Sequence, residues 1–103
     1  MAQFDVHRNL GGRSATVPFL VDVQANLLDG LATRVVVPLV DAKHFGRPAR
    51  GLNPTFAVDG REVVMSTAEL AGVSRRTLGP VVDSLAEQRA TIIGALDLLI
   101  TGL

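Results

Sequence analysis

Over the first two thirds of the chain, apolar and polar positions alternate with a period of two, the pattern of half-buried strands. Phe4, Val6 and Arg8 alternate with Gln3, Asp5 and His7 in a short strand that ends in the loop Asn9-Leu10-Gly11-Gly12-Arg13-Ser14. In Val17–Gln24, Phe19, Val21 and Val23 point one way, which leaves Asp22 and Gln24 on the outward face. Pro18 stands near the start of that run, where a missing N–H does least harm. Thr33–Val40 is β-branched and continuous, which predicts a well-buried strand closed by Pro38. Between these two strands, Leu27-Leu28-Asp29-Gly30-Leu31 is a loop carrying three leucines.

The sharpest local signal is Thr55–Met65, two apolar runs joined by Asp59-Gly60. An Asp-Gly pair in that setting predicts a two-residue hairpin, because both turn positions need positive φ. Residues 41–54 contain Gly46, Pro48, Gly51 and Pro54 and read as an irregular crossover. Leu70 to Leu78 adds one more short strand, and Gly79-Pro80 breaks what precedes it. The period then changes: Leu85, Ile92, Leu96, Leu99 and Leu103 recur at helical spacing, widened by Ile93 and Ile100. Ser84-Leu85-Ala86-Glu87 has the form of a capping box. Gly94 inside the helix points to close packing of another backbone, and Gly102 suits a C-terminal cap. The expectation is an α+β, mainly β fold: an antiparallel β domain closed by one C-terminal helix.

Composition sharpens this picture. With 103 residues the chain fits one domain, spanning residues 1–103. Apolar residues make up 48% and charged residues only 19%, a high apolar share for so small a body, which predicts burial of apolar surface in a homodimer. Ten basic and ten acidic residues cancel, which argues against a free-standing nucleic-acid binder. The absence of cysteine removes disulfides and thiol catalysis. No apolar stretch approaches a membrane span and no signal-like segment opens the chain, so a cytoplasmic, soluble protein without membrane contact is expected.

Candidate chemistry is sparse. His7 and His44 lie far apart, with no ligand pattern around them, and are expected to face solvent or sit in loops. Gly11-Gly12 is too short for a phosphate cradle. Arg75-Arg76 reads as a solvated turn, with an acidic partner as the other reading. No pair of tuned acid and base groups stands out, so neither an enzyme nor a cofactor is expected.

Several stretches nonetheless carry a resemblance. They are Gln3-Phe4-Asp5-Val6, Leu20-Val21-Asp22-Val23-Gln24, Arg34-Val35-Val36-Val37-Pro38-Leu39, Leu52-Asn53-Pro54, Val58-Asp59-Gly60, Met65–Val73 and Ala95–Leu99. In this order they resemble the CcdB family of toxins nearly end to end. The resemblance implies an SH3-like β-barrel with a C-terminal helix, paired as a homodimer, acting as the toxin of a type II toxin–antitoxin system. It implies two further partners: the A subunit of DNA gyrase, which the toxin poisons, and a cognate CcdA-like antitoxin whose disordered tail folds on binding. DNA would be met only indirectly, through gyrase or the antitoxin. The family's last three residues, typically Trp-Gly-Ile, fall on Thr101, Gly102 and Leu103, so Thr101 stands where the family has an aromatic. Asp97 takes the place of a gyrase-facing polar residue that is more usually an amide. Ile100 and Leu27, the latter in a loop that the family places near the partner surface, complete the implied gyrase-binding set. Two alternatives stay open: a homologue with lost or altered gyrase activity, and an endoribonuclease of the related MazF/Kid type.

Overall fold

The longest strand is Thr33–Asp41, and the rest of the sheet is arranged around it. The computed structural model describes residues 1–102. In chain order the strands are β1 (Asp5–Asn9), β2 (Phe19–Asp22), β3 (Thr33–Asp41), β4 (Thr55–Val58), β5 (Arg61–Met65), β6 (Ala71–Ser74) and β7 (Leu78–Ser84). A one-turn helix, α1 (Ala42–Phe45), follows β3, and α2 (Arg89–Thr101) ends the described chain. The strands form one antiparallel sheet in the order β4-β5-β3-β2-β1-β7, with β6 on β3. The fold is therefore mainly β, a curled antiparallel sheet with a single C-terminal helix, as the alternation and the change of period predict.

Pro38 does not close its strand. It pairs with Leu20 of β2 and lies between the residues of β3 that pair with β6 (Thr33–Val36) and those that pair with β5 (Leu39–Asp41). At that change of partner a missing N–H costs no regular ladder bond on that edge. The core gathers Val6, Phe19, Val21, Val37, Leu39, Phe56, Val58, Val63 and Met65 from five strands against Ile92 and Ala95 of α2. Each fully buried Leu, Val or Phe contributes roughly 1.5–3 kcal/mol by leaving water.

The start of α2 is tied to the sheet through Phe4. This residue has a φ of 71°, an uncommon conformation for a non-glycine residue that costs on the order of 1–3 kcal/mol. The surroundings fix it there. Its N–H donates to the Asp22 carbonyl at 2.5 Å, its own carbonyl accepts from the Leu85 N–H at 2.9 Å, and the Arg89 guanidinium lies 5.6 Å from its ring centroid. Arg89 also donates to Gln3 Oε1 at 3.0 Å.

Near the helix start the expected capping box is absent. Ser84 ends β7 and its Oγ accepts from the Ala86 N–H at 3.2 Å, while a 3₁₀ turn at Ala86–Gln88 leads into a helix that begins only at Arg89. Leu85, buried and bonded to Phe4, belongs to this lead-in and not to the helical stripe. Gly79-Pro80 likewise does not break the chain but lies inside β7, which is an edge strand and so tolerates proline. There Gly79 is required by proximity, since a Cβ would stand 2.6 Å from the Arg8 carbonyl oxygen. Gly94 shows the opposite: nothing lies within 4 Å of a Cβ at that position, so no backbone packs against it. The short strand expected at 70–78 is confined to β6, followed by a turn at Arg75–Thr77.

The Asp59-Gly60 turn is as predicted, with φ of 50° and 78°. Gly60→Val places a β-branched side chain at positive φ and should lower stability by about 1–3 kcal/mol. Gly79→Ala should also destabilise, through its clash with the Arg8 backbone. Thermal unfolding of the two variants checks both, and a melting temperature unchanged from wild type would refute the turn or the contact concerned.

Candidate functional site

Two surface features contain the residues singled out from sequence. The first is the last turn of α2. Asp97, Ile100 and Thr101 stand at i, i+3 and i+4 and share a face. Asp97 is exposed and Ile100 is 70% exposed, although it is apolar. The Thr101 hydroxyl donates to the Asp97 carbonyl at 2.7 Å, a bond that folds the side chain back on its own helix. Gly102 ends the helix at a left-handed φ of 77°, and its N–H donates to the Leu98 carbonyl at 3.0 Å, which satisfies one of the terminal carbonyls. Leu103 lies outside the described residues. The helix end is thus a defined cap that presents an apolar side chain to solvent.

The second feature is the loop between β2 and β3. Asn26–Leu28 forms a 3₁₀ turn in which Leu27 is 93% exposed, and Leu28 and Leu31 are also exposed. Three exposed leucines in so short a segment would favour collapse of a flexible loop. Here a buried polar network holds them out.

Arg34 of β3 and Asp22 of β2 have fully buried side chains. Arg34 Nε donates to Asp22 Oδ2 at 2.8 Å, and Nη2 lies 2.7 Å from the same oxygen, an ion-pair contact out of line for a second hydrogen bond. Asp22 Oδ1 accepts from the Gln24 N–H at 2.9 Å. Arg34 Nη1 reaches the loop itself and donates to Asp29 Oδ1 at 2.9 Å. Gln24 donates to the Leu28 carbonyl at 2.9 Å and accepts from the Val35 N–H at 3.0 Å. From the turn after β6, Arg75 Nη1 donates to the carbonyls of Asp29 and Leu31 at 2.6 and 3.2 Å.

Asp22 and Gln24 therefore do not face outward. Both are buried, because the end of β2 is covered by the leucine loop and supplied with partners by Arg34 and the loop backbone. Arg75 is a strut of this loop, while its neighbour Arg76 is exposed. His7, too, is buried: Nδ1–H donates to the Gly79 carbonyl at 3.0 Å where β7 folds against β1, and Nε2 has no partner among the described residues. His44 is exposed, as expected.

Gln3 joins the leucine loop to the start of the helix whose far end is the other feature. Its N–H donates to Asn26 Oδ1 at 2.8 Å, and its side-chain oxygen accepts from Arg89, so the leucine loop is tied to the first turn of α2. Roughly 18 Å of helix rise separates that turn from Thr101.

Sequence reading missed Arg34, Asp29 and the role of Arg75. The available signal is Arg34 itself, a lone cation inside the β-branched run Thr33–Val37. Arg34→Met removes one partner of a buried pair and should cost about 3–5 kcal/mol, whereas Asp22→Leu combined with Arg34→Met should recover most of that loss. Denaturant unfolding measures both. Asp29→Asn, at the half-exposed end of the network, should change stability by less than about 1 kcal/mol yet speed amide exchange at Leu27 and Leu28. Unchanged exchange there would show that the network does not hold the loop.

The residues around both features fall within a single family match. The CcdB protein family model aligns with residues 3–102, which includes β1, the leucine loop, the Asp59-Gly60 hairpin and the capped helix end. With that alignment running from the strained Phe4 knuckle to the Gly102 cap, the chain belongs to the CcdB family, toxins of CcdA/CcdB systems that are directed at DNA gyrase.

Proposed function

We propose that this protein poisons DNA gyrase through the last turn of α2, using Asp97, Ile100, Thr101, Gly102 and Leu103, with Leu27 contributing from the leucine loop. The protein would act by binding and not by catalysis, and a cognate CcdA-like antitoxin would neutralise it. The observation that carries this reading is the exposed Ile100 on a capped helix end, at the place where the family resemblance puts the gyrase contact. A capped terminus has little conformational entropy left to lose on docking, which favours binding through so small a surface.

Homodimerisation belongs to the same proposal. Leu27, Leu28, Leu31, Val81 and Ile100 are all exposed large apolar residues in a chain that is 48% apolar. A two-fold pair would bury part of that surface and double the number of helix ends offered to a two-fold target. Sedimentation at micromolar concentration should give twice the 10.9 kDa chain mass, and a monomer would refute the pairing.

Thr101 is the informative position. Its hydroxyl is turned back onto Asp97, so it offers a partner much less apolar area than an aromatic would. A tryptophan anchor at an interface contributes about 2 kcal/mol or more, so Thr101→Trp should tighten gyrase binding by roughly thirtyfold. The measurement is gyrase-dependent cleavage of supercoiled plasmid. Cleavage should rise with Thr101→Trp and vanish when residues 101–103 are deleted. Equal cleavage by wild type, variant and truncation would instead favour a family member that has lost this target.

A further inference from the structure

The proposed contact set is split between two elements, Leu27 in the loop between β2 and β3 and the last turn of α2. A rigid partner meets both at once only if each is held in one geometry relative to the other. The helix is the fixed member. Ile92 and Ala95 are buried in the core, and near the far end a turn carrying Gly51, at a φ of 78°, lies against the helix, where a Cβ on that glycine would meet Leu98 Cδ2 at 3.6 Å. The loop is held unevenly. The bonds from Gln24, Arg34 and Arg75 land on Leu28, Asp29 and Leu31, in its second half. The part that bears Leu27 is reached from outside through Gln3, whose N–H donates to Asn26 Oδ1 at 2.8 Å.

Gln3 is itself placed by a turn that accounts for the unfavourable backbone at Phe4. The Asp5 N–H donates to the Ala2 carbonyl at 3.1 Å, and Asp5 Oδ2 accepts from the Ala2 N–H at 3.0 Å. These bonds close a four-residue turn, Ala2–Asp5, with Gln3 and Phe4 at its centre. The third position of a turn is where a positive φ is accommodated, and glycine is its usual occupant. Phe4 takes that position because its ring serves elsewhere: it is buried in the core and lies against the Arg89 guanidinium. Gln3 turns its side chain to the same cation. Oε1 accepts from Arg89 Nη1 at 3.0 Å, while Nε2 donates to the Val23 carbonyl at 3.1 Å. Two consecutive residues thus grip the first residue of α2, and the backbone of one of them holds the leucine loop.

We infer that Gln3 is a positioning residue for gyrase binding: it links the loop at Asn26 to α2 at Arg89 and so fixes where Leu27 stands relative to the helix end. Its N–H, Nε2 and Oε1 are all engaged within the protein, so it acts through Leu27 and not by touching the partner. What it supplies is pre-organisation of a two-part surface, since ordering the loop at the moment of docking would subtract from affinity. The inference rests on the proposed reading in taking Leu27 and the helix end as the two contacts.

The test uses the intact, isotope-labelled protein. It reads residual dipolar couplings of the amides at residues 26–28 against those of α2, together with the protein concentration that gives half-maximal plasmid cleavage by gyrase. Gln3→Met keeps the side-chain length but neither side-chain bond. The loop couplings should shrink through averaging, and roughly five- to tenfold more protein should be needed for the same cleavage. Gln3→Glu keeps an acceptor for Arg89 but sets a carboxylate oxygen against the Val23 carbonyl. It should lose at least as much melting temperature as Gln3→Met, yet retain the wild-type couplings and most of the cleavage, which a merely stabilising residue would not do. Asn26→Ala cuts the same link on its loop side and serves if Gln3→Met fails to fold. It should reproduce the Gln3→Met effects, and combining the two should add little, because the links stand in series. The inference is overturned if the loop couplings are unchanged in both variants, if cleavage follows melting temperature and not orientation, or if the two substitutions simply add. Reduced couplings in the variants, with no cleavage even by wild type, would uphold the link and sink the gyrase reading instead.

Discussion

The buried Asp22–Arg34 pair is the constraint on which the β2–β3 part of the sheet depends. Each charge taken from water costs several kcal/mol, and mutual attraction offsets that only when the remaining polar atoms also find partners. Asp22 meets the requirement with the Gln24 N–H, and Arg34 meets it at Nη1 with Asp29 from the loop, while Nη2 keeps only its ion-pair contact with Asp22. The consequence is structural specificity. Were β2 to slip one residue against β3, Asp22 would turn to the opposite face and leave Arg34 buried without its counter-charge, so the register Asp22↔Val36 is enforced by electrostatics as well as by apolar alternation. The loop conformation follows from the same demand, because Asp29 must stay within reach of a cation that cannot move to solvent.

The helix has a different logic at each end. Its first turn is held by Phe4, Gln3 and Leu85, at the cost of an unfavourable backbone conformation at Phe4. Its last turn leans on the Gly51 turn and is finished by Gly102, leaving Ile100 in water. Packing energy is thus concentrated near the start and middle, through Ile92 and Ala95, while the distal turn keeps apolar surface available. The division leaves the distal turn rigid enough to be presented in one geometry, yet not consumed by the core.

How much of this was legible in the sequence follows from how local each signal is. The Asp59-Gly60 turn and the Gly102 cap depend on the φ of one or two residues, and both stand as read. Alternation located the strands but assumed that one face of each meets water. That assumption fails at Asp22, Gln24 and His7, which are covered by segments distant in sequence: the leucine loop closes over β2, and Gly79 of β7 closes over His7. Gly79-Pro80 misled for a related reason, since a pair that disrupts a central strand is permitted on an edge. The exposed end of α2 and the exposed Leu27 were legible only through family resemblance, because periodicity marks Ile100 as one more apolar position in a stripe.

The pairing of β1 with β7 brings Asp5 opposite Ser84, with five other strands between them in the chain. Non-local closures of this kind slow folding, because loop entropy is lost before contacts repay it. During synthesis the first strand must wait, with one edge unpaired, until β7 has left the ribosome. Only then can Leu85 bond Phe4 and the helix start be fixed. The helix end is made later still, so the exposed Ile100 turn is completed only after the sheet that carries it. A chain terminated before α2 could still pair its strands but would lack Ile92 and Ala95, so the core would stay open on the face that the helix covers.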